Sequence, residues 1–465
     1  MSFLKLKYNL MKKIVPLIAA LALLISACQK DDDNKVKSSP ASSYDHTIPL
    51  TWNQLFLEVE RYCPGYKPPV SARNYGYLNL IAYEAVVHGS NSKYKSFSGY
   101  YPGLQIDEPQ AGKEYDWEVS LNAAYEKSFE LYFPTAPSEQ QFHMLDIGND
   151  LRSKMQESAE ADVYQRSVVY GQYVAQTIYD WSTSDEWGHE AYLHNNDPAY
   201  TPPTGDGFWK PTYPDYSSAL LPHWGKVRTF AALENDGVPP PPAFSTTPGS
   251  QLYNEALETH DLVNEIKAGN NAEELWIAQF WSDDCPILTF SPSGRWVSIA
   301  NQIIASERLD MLESVVVYAK LGMALSDAGV KCWGEKYHYN MLRPVDYIRS
   351  YMGDPAWNTI MCPDGSGNFY TPGFPTYPSG HATFSGASAY VLEEIFGKHY
   401  GFTDRSHEGR TEFKSAPRSF GSIEAMAEEN AYSRVPLGVH FASDSKAGLD
   451  LGHLIGARVT ALPWQ

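Results

Sequence analysis

Apolar positions recur along this chain at intervals of three and four residues. Leu78, Ala82, Ala85 and Val86 follow that spacing, as do Leu312, Val316, Ala319 and Met323, then Phe384, Ala387, Val391 and Ile395, then Leu451, Ile455 and Val459. A stripe of this period predicts a helix with one face in a core. Residues 138–182 hold no proline and only two glycines, which predicts one or two long helices. Residues 252–267 and 272–281 read as helical too, and Gly397 is placed to stop the helix that begins near His381. Strand-like alternation is scarce and no internal repeat is visible. The predicted class is mainly α, with two packed helical bundles. Between them, residues 195–249 carry Pro198, Pro202, Pro203, Pro211, Pro214, Pro222, Pro239 to Pro242 and Pro248, an irregular Pro-rich connection. The chain thus divides into helical regions over 49–194 and 250–465 around that segment.

The first 28 residues differ in character. Lys12 and Lys13 precede a mostly apolar run over 14–27, short of the ~20 residues that span a bilayer and suited to an export signal. The run closes with Ile25-Ser26-Ala27-Cys28, which resembles the lipobox of bacterial lipoproteins, with Cys28 as the lipidated residue. Lys30-Asp31-Asp32-Asp33 is similar to a surface-export signal of Bacteroidetes lipoproteins. The resemblance implies an outer-membrane or cell-surface lipoprotein of a Gram-negative bacterium, touching the membrane only through its anchor. The polar run over 29–48 is expected to be a flexible tether.

Hydrophobic residues make up 43% of the chain and aromatic residues 14%, enough for a large core. The net charge of −19 argues against a nucleic-acid partner, which needs a basic face. It leaves room for a few cations focused in one cleft. Besides Cys28 there are Cys63, Cys285, Cys332 and Cys362, whose pairing the sequence leaves open. A bridge from Cys332 to Cys362 or Cys285 would brace the segment that follows Cys332.

Three short segments gather the chemistry. Lys336 lies seven residues before Arg343-Pro344, two helical turns, so both side chains can share a face of a helix that ends near the proline. In Pro378-Ser379-Gly380-His381, the serine can cap a helix whose free first-turn amides cradle an anion. In Ser433-Arg434 … His440 … Asp444, the last two are four apart. On a helix the carboxylate would accept from one imidazole nitrogen and leave the other for a ligand. One lysine, two arginines, a hydroxyl, helix amides and two histidines suit a tetrahedral or five-coordinate oxyanion. Each segment alone is commonplace; their joint order and spacing are not.

The joint pattern resembles the vanadium-dependent haloperoxidases and their relatives, the type-2 phosphatidic acid phosphatases and bacterial class A acid phosphatases. Phe280-Trp281-Ser282-Asp283-Asp284 and Trp224-Gly225 are similar to the bacterial haloperoxidases as well. The resemblance implies vanadate as cofactor, with His440 bound to the metal and oriented by Asp444. Lys336, Arg343, Ser379, Gly380 and Arg434 would hold the oxygens, and His381 would be the acid–base group. Hydrogen peroxide and halide would be the substrates, hypohalous acid the product, with Lys336 polarising bound peroxide. Trp333 and Phe374 match aromatic positions of the halide pocket. The same residues also fit an acid phosphatase with no cofactor, in which phosphate occupies the site and His440 becomes a phosphohistidine. A surface lipoprotein that only binds an oxyanion or glycan is a further reading, since Tyr and Trp are abundant. His189, His194 and His223 lack a metal-ligand spacing. Asp283 and Asp284 stand as candidates to support the arginines, and Gly365-Ser366-Gly367 reads as a turn.

Overall fold

The structure, a computed structural model, describes residues 38–285, 288–363 and 369–465. Cys28, the lipobox and most of the polar run lie outside the described residues, as does Gly365-Ser366-Gly367. The molecule is mainly helical. In the N-terminal half, α1 (Thr47–Tyr62), α2 (Pro68–Val86), α3 (Trp117–Tyr132), α4 (Ser138–Ser158) and α5 (Ala161–Thr183) pack together. In the C-terminal half come α6 (Gln251–Lys267), α7 (Ala272–Phe280), α8 (Pro292–Glu307), α9 (Met311–Tyr339) and α10 (Pro344–Tyr351). They are followed by α11 (Gly380–Phe396), α12 (Ile423–Tyr432) and α13 (Ala442–Thr460). The sole sheet among the described residues is a hairpin of β1 (Phe402–Asp404) with β2 (Arg418–Phe420), antiparallel. No described helix is long and apolar enough to cross a membrane.

Helix α9 joins the halves. It begins on a capping box, Asp310 Oδ1 accepting from the Glu313 amide at 2.8 Å while the Glu313 carboxylate accepts from the Asp310 amide. Its predicted apolar face, Leu312, Val316, Ala319 and Met323, is buried, and so is most of its circumference. Helix α2 is buried on every side. A helix apolar or small all round belongs in the centre of a domain. The N-terminal part of the core packs α2 against α9, and the C-terminal part packs α9 against α11.

Two expectations need correction. Residues 41–48 are not tether: Ala41 is fully buried, Asp45 bridges to Asp310, and α1 starts at Thr47. The Met311 amide at the start of α9 donates to the Tyr44 carbonyl at 2.9 Å, a backbone tie that a polarity count does not register. The 138–182 stretch is two helices, within the one or two expected, parted at Ala159 and Glu160. Helix α9 does not run on to Arg343. Asn340 adopts the left-handed conformation at φ 49° and ends it, so Lys336 and Arg343 share no helix face. Arg343 instead sits at the N-cap of α10, with Pro344 at its first position.

Helices α11 and α13 cross in close contact. A Cβ built on Gly452 would overlap the Thr383 carbonyl oxygen, one on Gly386 the Leu449 carbonyl, and one on Gly448 would stand 2.5 Å from the Ser379 carbonyl. The backbones therefore touch, and this contact holds the starts of the two helices side by side. Gly452→Ala is expected to cost about 1–3 kcal/mol, because the methyl meets backbone that cannot turn away. Urea unfolding monitored by circular dichroism measures it; unchanged stability would refute the close crossing.

Candidate active site

The three sequence segments meet at the starts of α10, α11 and α13 and the last turn of α9. His440 lies two residues ahead of α13, and Asp444 is in that helix's first turn. The pair is thus not an intrahelical one, as the spacing had implied. Asp444 instead reaches back as a capping side chain: its Oδ2 accepts from the Phe441 amide at 3.0 Å and from His440 Nδ1 at 3.0 Å. This sets the proton on Nδ1 and leaves the lone pair on Nε2. Burial, then Arg343, Lys336 and Arg434, push the His440 imidazole well below its ordinary pKa, so the ring is neutral at pH 7.

Thr376 completes this arrangement, and sequence reasoning missed it. Its hydroxyl donates to Asp444 Oδ2 at 2.5 Å and lies 3.1 Å from His440 Nδ1. Nothing local marks it, because its partners are more than sixty positions away. Burial raises the Asp444 pKa, against the opposing bonds from Thr376 and the Phe441 amide. Losing the threonine bond favours the protonated acid.

The cations surround the imidazole. Arg343 Nη1 donates to the Val439 carbonyl at 2.9 Å and lies 3.3 Å from His440 Nε2, while its Nε donates to the Phe374 carbonyl at 2.9 Å. Burial lowers its pKa to about 10, still well above neutrality. Lys336 is fully buried at the end of α9, and its Nζ donates to the carbonyls of Pro375, Thr376 and Pro378. Burial pushes this amine down, yet only an ammonium satisfies three carbonyls. Lys336 therefore fixes the backbone that leads into α11, a role its spacing alone did not suggest.

Ser379 caps α11, with its Oγ 3.5 Å from the Ala382 amide, and its own amide donates to the Asp444 carbonyl at 2.9 Å. Gly380 lets the first turn approach the Trp333 ring; a Cβ there would stand 3.3 Å from it. Trp333 packs on Phe374 with ring centroids 4.9 Å apart, and Phe374 also covers the Arg343 guanidinium at 4.8 Å.

His381 and Arg434 meet through Asp284. Asp284 Oδ2 accepts from Arg434 Nη2 and lies 3.4 Å from His381 Nε2. Burial first, and the Arg434 charge second, lower His381 to about 3, against the opposing pull of Asp284. Its ring is neutral at pH 7 and able to take a proton. The expectation that Asp284 supports an arginine is met; the neighbouring Asp283 faces away into a separate ion cluster.

Four buried nitrogens here have no hydrogen-bond partner in the protein: Arg343 Nη2, Arg434 Nε, His381 Nε2 and Trp333 Nε1. Arg343 Nη2, Arg434 Nε and Trp333 Nε1 are donors, and buried donors normally find acceptors. A cluster of unanswered ones beside a neutral histidine fits an oxygen-rich anion bound within their reach. Asp284 and Phe374 also wall a cleft of about 590 Å³, together with Tyr370, Tyr66 and Cys63.

Elsewhere, His189, His194 and His223 line one cavity, and His223 is paired with Asp197 at 2.9 Å. No group of three or more metal-binding side chains occurs among the described residues. The expected brace from Cys332 is absent. Cys285 pairs with Cys362, whereas Cys332 is a free, buried thiol whose Sγ lies 3.7 Å from the Pro378 carbonyl. Cys332 points into the α9–α11 interface, out of reach of either partner.

Comparison with known proteins agrees with this geometry. The sequence profile described as the VCPO second helical-bundle domain matches residues 316–463. The chain is 23% identical to vanadium chloroperoxidase of Curvularia inaequalis, over 89% of its length and 82% of that protein. It is 35% identical to a vanadium-dependent bromoperoxidase of Ascophyllum nodosum over 97 residues, 19% of this chain and 17% of that protein. Among solved structures, a bacterial vanadium-dependent iodoperoxidase superposes with a TM-score of 0.76 at 30% identity, covering 90% of this chain and 96% of that one. A holo-type bacterial vanadium-dependent chloroperoxidase shares the fold, with a TM-score of 0.61 at 13% identity, over 90% of this chain and 97% of that one.

Thr376→Val keeps the shape of the side chain and removes its hydroxyl. It is expected to weaken oxyanion binding roughly 10- to 100-fold, the usual effect of removing the group that orients a ligating histidine. Calorimetric titration with orthovanadate checks this; wild-type affinity in the variant would remove Thr376 from the site.

Proposed function

Because the chain belongs to the vanadium-dependent haloperoxidases, we propose that its buried oxyanion site holds vanadate and that the protein oxidises halide with hydrogen peroxide, X⁻ + H₂O₂ + H⁺ → HOX + H₂O. The observation that carries this reading is the group of unpartnered buried nitrogens on Arg343, Arg434 and His381 around the neutral imidazole of His440. The donor set fits vanadate: one neutral imidazole lone pair for the metal, and guanidinium, hydroxyl and helix-amide donors for its oxygens. When bound, vanadate supplies a Lewis-acidic centre that makes peroxide oxygen electrophilic without changing oxidation state.

The chain's own residues do the rest. Asp444 and Thr376 hold His440 with Nε2 free. Arg343 Nη1, 3.3 Å from that nitrogen, would donate to an oxyanion oxygen of vanadate held there. Arg343 Nη2, Arg434 Nε, Ser379 and the first-turn amides of α11 at Gly380 balance the remaining oxygen charge. Lys336 keeps its carbonyl-bound place at the start of α11 and adds a positive charge that polarises peroxide. His381 Nε2 accepts the proton of incoming peroxide and returns it as water leaves. A ring with a pKa near 3 in the resting protein accepts a proton readily only once negative charge is bound nearby. Trp333 and Phe374 exclude water, and the unpartnered Trp333 Nε1–H is a donor for halide. The similarity to a bacterial iodoperoxidase makes iodide the halide to test first.

We also propose that Cys28 is lipidated and anchors an exported protein to the outer membrane or cell surface, as its lipobox supports.

Protein dialysed with orthovanadate is expected to oxidise iodide in the presence of peroxide, with phosphate competing. His440→Ala should lose vanadate binding, and His381→Ala should keep binding but lose turnover by roughly 10²–10⁴-fold. Spectrophotometric iodide oxidation and vanadate calorimetry measure these. Iodide oxidation that is independent of vanadate would reject the proposal, as would phosphomonoester hydrolysis without any halide oxidation. Cys28→Ala should move the protein from the membrane to the soluble fraction; unchanged partitioning would exclude the anchor.

A further inference from the structure

Three consecutive residues after α7 do three different things. Asp283 turns into a fully buried ion cluster. Its Oδ2 accepts from Arg295 Nε at 2.8 Å and its Oδ1 from His407 Nε2 at 3.0 Å. Arg295 Nη1 also donates to Asp404 Oδ2 at 2.9 Å, and its Nη2 donates to the Phe280 carbonyl. The guanidinium packs against the Phe280 and Trp281 rings, 4.8 and 4.9 Å from their centroids. Asp284 turns the other way, to Arg434 and His381. Cys285 is bonded to Cys362.

The segment that carries Cys362 has a matching feature. Met361, next to Cys362, places its sulfur 3.7 Å from Arg434 Nη2. The Trp281 carbonyl, on the Asp283 side, accepts from Arg434 Nη1 at 3.4 Å. Both anchors therefore flank Asp284 by one residue, and both segments they fix also touch Arg434.

A surface carboxylate beside an arginine would swing freely. Here the Asp284 side chain is only 12% exposed and its backbone is tied at both ends. Asp283 is held well down, to about 2: although burial opposes ionisation, the Arg295 charge and the His407 bond outweigh it. It stays a carboxylate throughout the neutral range, so the salt-bridged anchor does not loosen there.

We propose that the Asp283–Arg295 ion cluster and the Cys285–Cys362 disulfide form a two-ended clamp whose task is to place the Asp284 carboxylate between Arg434 and His381. Arg295, Asp283, Cys285 and Cys362 are positioning residues; they act through Asp284. The clamp divides Arg434 between two acceptors. Nη2 is taken by Asp284, which leaves Nε for the bound oxyanion, and the same carboxylate stands 3.4 Å from His381 Nε2. The proposal rests on the reading of Arg434 and His381 as oxyanion-site residues.

The test is a double-mutant cycle read on vanadate affinity by calorimetry, using the full chain. Asp284→Asn, the pair Cys285→Ser with Cys362→Ser, and Arg295→Lys are each expected to weaken vanadate binding by roughly 10-fold. Placed on the Asp284→Asn background, the cysteine pair and Arg295→Lys should add nothing further, because groups acting through one carboxylate do not combine independently. In vanadate-loaded enzyme the clamp variants should lower kcat for iodide and leave its KM within about two-fold, since the halide contacts Trp333 and Phe374 rather than Asp284. Arg295→Lys keeps the buried positive charge and decides the matter if the cysteine variant does not fold. Combined variants about 100-fold weaker would overturn the proposal, as would wild-type affinity in Asp284→Asn or in both clamp variants. Wild-type protein that binds vanadate yet oxidises no halide would refute the catalytic reading and leave the cycle readable, because affinity does not depend on turnover.

Discussion

The backbone contact between α11 and α13 is the constraint on which the site depends. Glycines at 386, 448 and 452 let two helices approach until their main chains touch. The N-terminal turn of α11 then stands beside that of α13, and the Ser379 amide bonds the Asp444 carbonyl at 2.9 Å. Helix starts carry free amides and the positive end of the peptide dipoles. Two of them side by side make a place for negative charge before any cationic side chain is added. A single methyl group on this crossing would shift the serine and histidine of one segment away from the histidine and aspartate of the other.

Onto that frame the protein adds more buried positive charge than it neutralises. Lys336, Arg343 and Arg434 are nearly inaccessible, and the carboxylates that face them are Asp444 and Asp284. Burying unpaired charge is costly unless something compensates. The compensation is an anion, and the cost without it is spread over carbonyl acceptors for Lys336 and Arg343. The strongly acidic exterior does not contradict this, because the cations are screened from it by low-dielectric protein. The two histidines profit from the same excess. Positive surroundings and burial keep both rings neutral, one to ligate and the other to receive a proton.

Much of this was legible in the chain. The period of Leu312, Val316, Ala319 and Met323, and of Phe384, Ala387, Val391 and Ile395, marks helices because a buried face must repeat every turn. The order Lys336, Arg343, Ser379, Gly380, His381, Arg434, His440, Asp444 marks an oxyanion site because no other common ligand needs that mixture of fork, point charge, cap and imidazole. Even the glycines at 448, 452 and 456 stand one turn apart in plain view. Without the partner helix, however, they are only small residues.

What the chain alone determined is therefore the helical class and the chemical types assembled for one ligand, since both follow from local periodicity and from which side chains are present. Tertiary structure decided the rest. It showed that Asn340 breaks α9 before Arg343, that Lys336 spends its hydrogens on three carbonyls, and that Asp444 acts from a helix cap. It also showed that Thr376 joins the histidine pair and that Cys285 rather than Cys332 finds Cys362. Each of these turns on a distance between residues remote in sequence or on one backbone angle, and a one-dimensional pattern carries neither.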